Sequence, residues 1–250
     1  MNNKYDFIPA VRRSDLWELR KSPAHYKYRI DHPQEDTPAL LFGRAAHKYI
    51  LEPDDFWNAY SLAPDVDRRT KAGKAEYALF VETLGDKMPL STADYATIED
   101  MAAQIEAHPT ARDILRHGIH ETPIEWIDAI TGERCKCRPD VLNTVEGYIA
   151  DYKTTQSCEG GAFERACRYY GYKLQAAMYT EGVFAQSAMM WDFVFVAQEK
   201  TPPYAVRVYK CDPGFVEEGI EMFHELMALY HSCKESGEWP GYPDEVIYGE

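Results

Sequence analysis

Three short runs with high β-propensity, Thr122–Ile130, Arg134–Leu142 and Gly147–Lys153, place the strongest constraint on how this chain folds. They are rich in Ile, Val, Trp, Tyr and Cys, and turn sequences at Thr131-Gly132 and Asn143–Gly147 separate them. Short strand-like runs joined by such turns predict antiparallel strands in a β-meander. Helical sequence flanks these runs on both sides, so helices are expected to pack against the strands.

Hydrophobic residues at helical spacing predict those helices. In chain order the predicted helices are one capped by Ser14 that ends before Pro23, Leu40–Leu51, two or three within residues 70–118, Ala162–Ala185, and Pro213 to Ser236. Two further strands are predicted at Trp191–Ala197 and Tyr204–Tyr209. This order predicts a mixed α/β layer fold with one central sheet.

The 250 residues contain no repeat or linker, so a single domain is predicted. Its parts would be a mainly helical segment (1–118), the sheet with its helices (119–236) and a tail (237–250). The composition excludes collagen-like, disordered and disulfide-scaffold chains. Neither a signal peptide nor an apolar run of about 18 residues is apparent, so the expectation is a cytoplasmic chain with reduced cysteines and no membrane partner.

The net charge of −14 at first argues against a nucleic-acid partner. The charge is uneven, however. Residues 212–250 hold ten acidic groups and one basic group, whereas the first 30 residues hold seven basic groups and three acidic ones. Trp17, Tyr26 and Tyr28 are interleaved with those basic residues, a mixture that suits phosphates and bases. The alternative is a solvated helix face with aromatic residues in the core.

Two acidic segments carry the most chemical information: Arg-Pro-Asp, ending at Asp140, and Asp-Tyr-Lys, starting at Asp151. Side chains alternate along a strand, so Asp151 and Lys153 share a face and Tyr152 points away. Pairing through the Asn143–Gly147 turn would bring Asp140 close to Asp151. A divalent cation relieves the repulsion between two such carboxylates, and a lysine beside them can hold water or stabilise a phosphate. The alternative is an ordinary surface Asp–Lys pair.

Four other positions add to this constellation. His47 ends the helical segment Gly43-Arg44-Ala45-Ala46-His47, whose small residues allow close packing, and it could reach a metal. Glu121 precedes the first strand of the meander and could supply a further carboxylate. Gln175 and Tyr179 are four residues apart and share a helix face. Taken singly, each is an ordinary packed or solvated residue.

In chain order these positions resemble the motifs of PD-(D/E)xK nucleases: Gly43-x3-His47, Glu121, Pro139-Asp140, Asp151-x-Lys153 and Gln175-x3-Tyr179. Within the RecB-like and lambda-exonuclease branch, the match looks closest to RecE-type exonucleases (the exodeoxyribonuclease VIII type). The final Glu238-Trp239-Pro240 also looks similar. The resemblance spans about residues 10 to 240. It implies a restriction-endonuclease-like α/β core, with a central mixed sheet flanked by helices and a helical N-terminal part.

The resemblance also implies an activity: 5′→3′ digestion of one strand of linear double-stranded DNA, dependent on Mg²⁺ with Mn²⁺ as substitute. Its products would be 5′-phosphomononucleotides and 3′ single-stranded tails for recombination. By the same resemblance His47, Asp140, Asp151 and the Tyr152 carbonyl would hold the metal, and Lys153 would orient the water. Gln175 and Tyr179 would line the site and contact the scissile strand, with Glu121 the least secure member. The basic residues expected to contact DNA are Arg12, Arg13, Arg20, Lys21 and Arg44.

Relatives of this kind form rings, so a trimer or tetramer is expected, together with a single-strand annealing protein. An iron–sulfur cluster is not expected, because Ser22-Pro23 stands where its first cysteine would be and Cys211 and Cys233 are far apart. The rival interpretations are a structure-specific or restriction-type endonuclease on the same core and a non-catalytic DNA-binding scaffold. Cys135-x-Cys137 could also be half of a zinc site, but core cysteines are favoured.

Overall fold

The structure is a computed structural model that describes residues 4–34 and 36–246. Within these residues the α-helices are α1 (Arg13–Leu19), α2 (Pro23–Asp31), α3 (Pro38–Leu51), α4 (Phe56–Ala59), α5 (Lys71–Leu84), α6 (Thr92–Ala107), α7 (Pro109–Arg116), α8 (Gly160–Tyr170), α9 (Tyr172–Ser187) and α10 (Pro213–Ser236). None of these helices is both long and apolar enough to cross a membrane.

The strands are β1 (Tyr60–Leu62), β2 (Met88–Leu90), β3 (Ile119–His120), β4 (Ile124–Ile127), β5 (Arg134–Cys137), β6 (Val141–Asn143), β7 (Tyr148–Thr155), β8 (Asp192–Glu199) and β9 (Val206–Lys210). The central sheet has the order β3-β6-β7-β8-β9. Only the β7–β8 pair in it is parallel, so the sheet is mixed, as the sequence predicted. β1 with β2, and β4 with β5, form two small separate sheets.

The two faces of the central sheet bury different sets of side chains, because residues alternate along each strand. Ile149, Phe193 and Phe195 belong to one hydrophobic cluster with residues of α1, α8, α9 and α10. Tyr152 and Val196 belong to the other, with residues of α3, α6 and α7. The sheet is therefore covered on both faces, and β7 runs through the centre of the molecule.

Both turns of the predicted meander are confirmed, but its three runs do not form one continuous sheet. β4 and β5 pair antiparallel across Thr131-Gly132. β6 and β7 pair across the predicted Asn143–Gly147 turn. The run Arg134–Leu142, however, is two strands in two different sheets. One edge of β5 is taken by β4 and the other by a bridge to Val11, whose N–H donates to the Arg134 carbonyl at 2.8 Å. β5 therefore has no edge left for the central sheet, and the chain turns through Pro139 before joining it as β6.

The predicted long helix over residues 162–185 is also wrong, because it breaks into α8 and α9. Gly171 separates the two helices with a left-handed φ of +70°. The Trp17 ring lies so close that a Cβ on Gly171 would meet it at 2.4 Å. Only glycine meets both demands without strain. The break thus depends on a contact with α1 that local sequence does not display.

The N-terminal helices differ from the prediction as well. Arg12, and not Ser14, precedes α1, and its N–H is bound by the Asp15 carboxylate at 3.1 Å. Pro23, predicted to end that helix, is the first residue of α2, which Ser22 caps through the His25 N–H. Proline suits the first position of a helix, where its missing N–H removes no hydrogen bond. Residues 70–118 hold three helices, and α10 has the predicted bounds.

Candidate metal-dependent active site

A notch in the central sheet forms where β6 stops and β7 continues. The last pair of the β6–β7 ladder is Val141 with Ala150, whereas β7 stays paired with β8 as far as Thr155. Beyond Ala150, polar side chains replace the missing strand. The Tyr152 N–H donates to Asp140 Oδ2 at 2.7 Å, and the Tyr152 carbonyl oxygen lies 2.8 Å from His47 Nε2.

Three potential ligand atoms converge in this notch. His47 Nε2 lies 3.0 Å from Asp140 Oδ2 and 2.8 Å from the Tyr152 carbonyl oxygen. Mg²⁺ binds oxygen ligands at about 2.1 Å in octahedral geometry, which places neighbouring ligand atoms about 3 Å apart. The distances around His47 Nε2 match that spacing. The donor set therefore fits a small divalent cation.

The small residues of α3 bring His47 to this position. Ala45 and Ala46 are fully buried against the sheet, in agreement with the close packing predicted from the sequence. Gly43 is not constrained in the same way, since a Cβ there would make only an ordinary contact with Thr154 Oγ1 at 3.6 Å. The close approach of α3 thus depends on the alanines.

Asp151 and Lys153 project together from β7 toward α9, as the strand alternation predicts. The Asp151 side chain is buried, forms a salt bridge with the Lys153 ammonium and accepts a hydrogen bond from the Gln175 amide. Asp151 Oδ1 is the oxygen that faces the Lys153 ammonium, whereas the buried Gln175 Oε1 accepts no hydrogen bond from a described residue. A buried oxygen without a donor is rare in folded proteins. Gln175 Oε1 therefore suits a bound cation or water.

The site holds an unusual density of charge. Burial raises the pKa of Asp151 to about 6, and the nearby Asp140 carboxylate adds to the rise. Burial opposes the protonation of His47, but Asp140 and Glu121 outweigh it and hold the His47 pKa well above 6.5. Burial likewise opposes protonation of Lys153, yet the Asp151 charge raises its pKa above 10.5. At neutral pH His47 and Lys153 are therefore cations.

These shifts predict that metal binding weakens in acid. Below pH 6 a metal ion must displace protons from both Asp151 and His47, whereas above it only His47 must lose one. Each released proton makes the affinity about tenfold weaker per unit decrease in pH. Titration calorimetry with Mn²⁺ from pH 5 to 8, in buffers of different ionisation enthalpy, should show this release. A constant affinity with no proton release would contradict the assignment.

Glu121 and Arg138 support the imidazole from its other side. Glu121 Oε2 forms a salt bridge with Arg138 Nε at 2.7 Å, and its Oε1 lies 3.8 Å from His47 Nδ1. Glu121 has a left-handed φ of +51°, a conformation that costs a non-glycine residue roughly 1–2 kcal/mol. The sequence had marked Glu121 but not Arg138. A carboxylate on the second ring nitrogen of a histidine fixes the ring for metal binding.

Among the described residues, one set of three His, Cys, Asp or Glu side chains has ligand atoms all within 4.8 Å of one another: His47, Glu121 and Asp140. A family model described as a PDDEXK-like domain of unknown function (DUF3799) matches residues 13–249. The chain belongs to this family. In this PDDEXK-like chain, Pro139-Asp140 and Asp151-x-Lys153 meet at the notch. The match supports the PD-(D/E)xK superfamily without selecting its RecE-type branch.

The PDDEXK-like chain is also similar to a solved structure, that of a candidate exonuclease from Eubacterium rectale. The two share 17% sequence identity and a TM-score of 0.65, over 96% of this chain and 90% of the other. At this identity the likeness shows a common fold. The structure of SSO0001 is more distant, at 12% identity and a TM-score of 0.32 over 85% of each chain, and supports no argument. No curated protein matches the sequence.

The residues expected to contact DNA fall into two groups in this PDDEXK-like chain. Arg12, Lys21 and Arg44 form salt bridges with the carboxylates of Asp15, Glu18 and Asp36 respectively. Arg13 and Arg20 form none with a described carboxylate. Arg13 instead donates to the Tyr170 carbonyl at 3.0 Å, and the Arg20 guanidinium lies 4.1 Å from the centroid of the Trp17 ring. The second group therefore keeps its charge available for a ligand.

Two further predicted residues lie on α9, the helix that faces Asp151. Gln175 is buried and directed at Asp151. Tyr179 packs its ring against Phe193, and burial together with the Asp151 charge holds its pKa well above 10. The thiols of Cys135 and Cys137 are buried in the hydrophobic core, and Cys135 Sγ lies 3.9 Å from Met227 Sδ. Their positions agree with the prediction of core cysteines.

Proposed function

We propose that this chain is a divalent-metal-dependent deoxyribonuclease. One observation carries the proposal: His47 Nε2, Asp140 Oδ2 and the Tyr152 carbonyl lie at the spacing of adjacent metal ligands, and the Asp151–Lys153 pair lies beside them. Metal-assisted hydrolysis of a phosphodiester needs an ion held by anionic oxygens and a cation that stabilises charge on the phosphate. The family match and the fold it shares with a candidate exonuclease support the same activity.

In this proposal Mg²⁺ is held by His47, Asp140, Asp151 and the Tyr152 carbonyl, and Mn²⁺ can replace it. When bound, the ion supplies a Lewis acid and makes a coordinated water more acidic. Gln175 orients Asp151, while Glu121 and Arg138 orient His47. Asp140 also binds the Tyr152 N–H, so one carboxylate fixes the carbonyl of the same residue in the notch.

Lys153 acts in this site as a cation and not as a base, because its pKa is raised and it pairs with Asp151. Its ammonium holds the attacking water and stabilises negative charge on the phosphate. The water oxygen forms a bond to phosphorus and loses a proton to solvent. The bond from phosphorus to the 3′ oxygen breaks, and that oxygen takes up a proton. One product carries a 5′-phosphate and the other a 3′-hydroxyl.

We propose further that the enzyme is a 5′→3′ exonuclease on linear double-stranded DNA. This part rests on the resemblance to RecE-type exonucleases and includes their biology: action in the cytoplasm, a ring of three or four copies, and a single-strand annealing partner that uses the 3′ tails. The ring requires an oligomer in solution, which light scattering after size-exclusion chromatography measures. A monomer would contradict the ring.

The activity is tested with duplexes labelled at either end, with and without a 5′-phosphate, in Mg²⁺ or in EDTA. We expect mononucleotides from the 5′-labelled end, dependence on Mg²⁺, and no cutting of closed circular DNA. Release from the 3′ end first would reverse the polarity. Cutting of the circle would replace the exonuclease with an endonuclease on the same core. Absence of hydrolysis under all of these conditions would favour a non-catalytic DNA-binding protein.

A further inference from the structure

A row of three tyrosine rings leads from Lys153 to solvent. Lys153 Nζ lies 5.0 Å from the centroid of the Tyr172 ring. The centroids of Tyr172 and Tyr170 are 5.8 Å apart with their planes nearly parallel, and those of Tyr170 and Tyr169 are 4.9 Å apart at a right angle. The exposed fraction rises along the row, from 8% for Tyr172 to 52% for Tyr170 and 75% for Tyr169. This aromatic row begins at the site and ends at the surface.

The break between α8 and α9 produces the row. Tyr169 and Tyr170 are the last two residues of α8, and Tyr172 is the first of α9. Gly171 turns the chain between them and lies against Trp17 of α1. The turn directs Tyr172 inward to Lys153 and leaves the other two rings at the surface. The contact with Trp17 fixes α1 beside the exposed rings.

Two arginines, Arg13 and Arg20, lie near the aromatic row and form no salt bridge with a described carboxylate. Arg13 Nη1 donates to the Tyr170 carbonyl at 3.0 Å, and Arg20 lies over Trp17 at 4.1 Å. A hydrogen bond to a neutral carbonyl leaves the Arg13 charge uncompensated. The two cations flank α1: Arg13, its first residue, is hydrogen-bonded to Tyr170, and Arg20, just after its last residue, lies over the Trp17 ring that packs against Gly171.

Single tyrosines on a protein surface are common and need no function. The combination here is different, because two adjacent exposed rings and the Arg13 guanidinium are connected through Tyr172 to Lys153, the proposed phosphate-stabilising residue. Base stacking on aromatic side chains and neutralisation of phosphates by arginine are the two interactions that hold single-stranded nucleic acid. Paired bases in a duplex are stacked on each other and present no free face to a ring, so this chemistry selects unpaired nucleotides.

We propose that Tyr169 and Tyr170, with Arg13 and Arg20, bind single-stranded DNA next to the scissile phosphate. Bases stack on the two exposed rings, and the guanidinium groups contact the phosphates between them. The proposal rests on the proposed nuclease function, because Lys153 defines where the scissile phosphate lies. It gives the enzyme a means to hold the end of the cleaved strand after separation from its complement.

The test is binding of a fluorescent 12-nucleotide single strand to the full chain in EDTA, measured by anisotropy, so that binding is read without hydrolysis. Tyr169→Ala and Tyr170→Ala should each weaken binding about tenfold, since a stacked base contributes that much or more. Tyr169→Phe and Tyr170→Phe keep the ring and should bind as the unaltered chain does. Leucine at either position should behave as alanine does. Tyr242→Ala removes a comparably exposed ring and serves as the control.

The salt dependence tests the arginines separately. Arg13→Gln and Arg20→Gln should each lower the slope of log affinity against log salt by about 0.7, the value for one phosphate contact on a single strand. Thermal melting followed by circular dichroism verifies that each variant is folded. Unchanged slopes in both variants would remove the arginines from the proposed site.

The outcomes separate this proposal from the proposed activity. If the unaltered chain hydrolyses DNA but the alanine variants bind the single strand normally, the binding site is wrong and the nuclease stands. If the chain hydrolyses nothing but the variants lose affinity, the binding site stands and the nuclease is wrong. Equal loss of affinity for closed circular duplex would show that the rings do not select single strands, which also overturns the proposal.

Discussion

Asp140→Asn should lower Mg²⁺-dependent hydrolysis of DNA about 10³-fold or more while the chain remains folded. Asp140 makes two contacts in the notch: it accepts the Tyr152 N–H at 2.7 Å and lies 3.0 Å from His47 Nε2. An asparagine of the same shape retains an oxygen for the Tyr152 N–H but loses the negative charge. Mg²⁺ prefers anionic oxygen, and a lost metal ligand removes several kcal/mol of transition-state stabilisation, or about 10³-fold in rate.

Two measurements test Asp140→Asn: the single-turnover rate on a 5′-labelled duplex and the Mn²⁺ affinity from titration calorimetry. Both the rate and the affinity should decrease. Asp192→Asn is the matched control, because Asp192 is an exposed carboxylate of β8 paired with Lys210 at 2.6 Å. It should leave rate and metal affinity unchanged. An Asp140→Asn variant that hydrolyses DNA at the original rate would contradict the assignment of the notch as the metal site.

The sequence predicted the parts of this site that depend on local rules. The Asn143–Gly147 turn sets the register that brings Asp140 to β7. Alternation along β7 places Asp151 and Lys153 on one face, where they form a salt bridge. The long C-terminal helix has the predicted bounds because Asp212 caps its start and Gly237 ends it in the left-handed conformation, with a φ of +74°.

Other features depend on contacts between distant parts of the chain and could not be predicted from local sequence. The run that becomes β5 and β6 has one hydrophobic pattern, but Val11 occupies the edge of β5 and forces the division. Gly171 breaks a helix because Trp17 lies against it. The sequence did not predict a role for Arg138, because its partner Glu121 lies on a different segment, before β4.

Pro23 shows that one residue can support two opposite predictions. Read as a helix breaker, it ended the first predicted helix, and residues 23–31 received no helix of their own. Proline is also favoured at the first position of a helix, and the preceding Ser22 is a favoured cap. The structure has α2 starting at Pro23, with the His25 N–H donating to Ser22 Oγ. The polar surface of α2 offered no hydrophobic period to decide between the two.

Lys153→Met should lower hydrolysis by about 10²- to 10³-fold while metal binding stays the same or becomes tighter. The Lys153 ammonium forms a salt bridge with Asp151 and lies over the Tyr172 ring, and its raised pKa keeps it charged at neutral pH. Methionine retains the unbranched stem against Tyr172 and removes only the charge. A cation removed from beside the proposed metal-binding carboxylates no longer repels a divalent ion.

A lower rate without a loss of metal affinity separates charge stabilisation from a structural role. If Lys153 served only to hold Asp151 in place, the methionine variant would lose metal binding and rate in proportion. Thermal melting in the presence of Mn²⁺ verifies folding of the variant. The bound ion then compensates the negative charge of Asp151, which has lost its partner Lys153. Lys173→Met is the matched control, since this lysine of α9 pairs with the exposed Glu218. Proportional losses of rate and metal affinity in Lys153→Met would therefore show that Lys153 only positions Asp151. A normal rate would show that Lys153 has no role in the reaction.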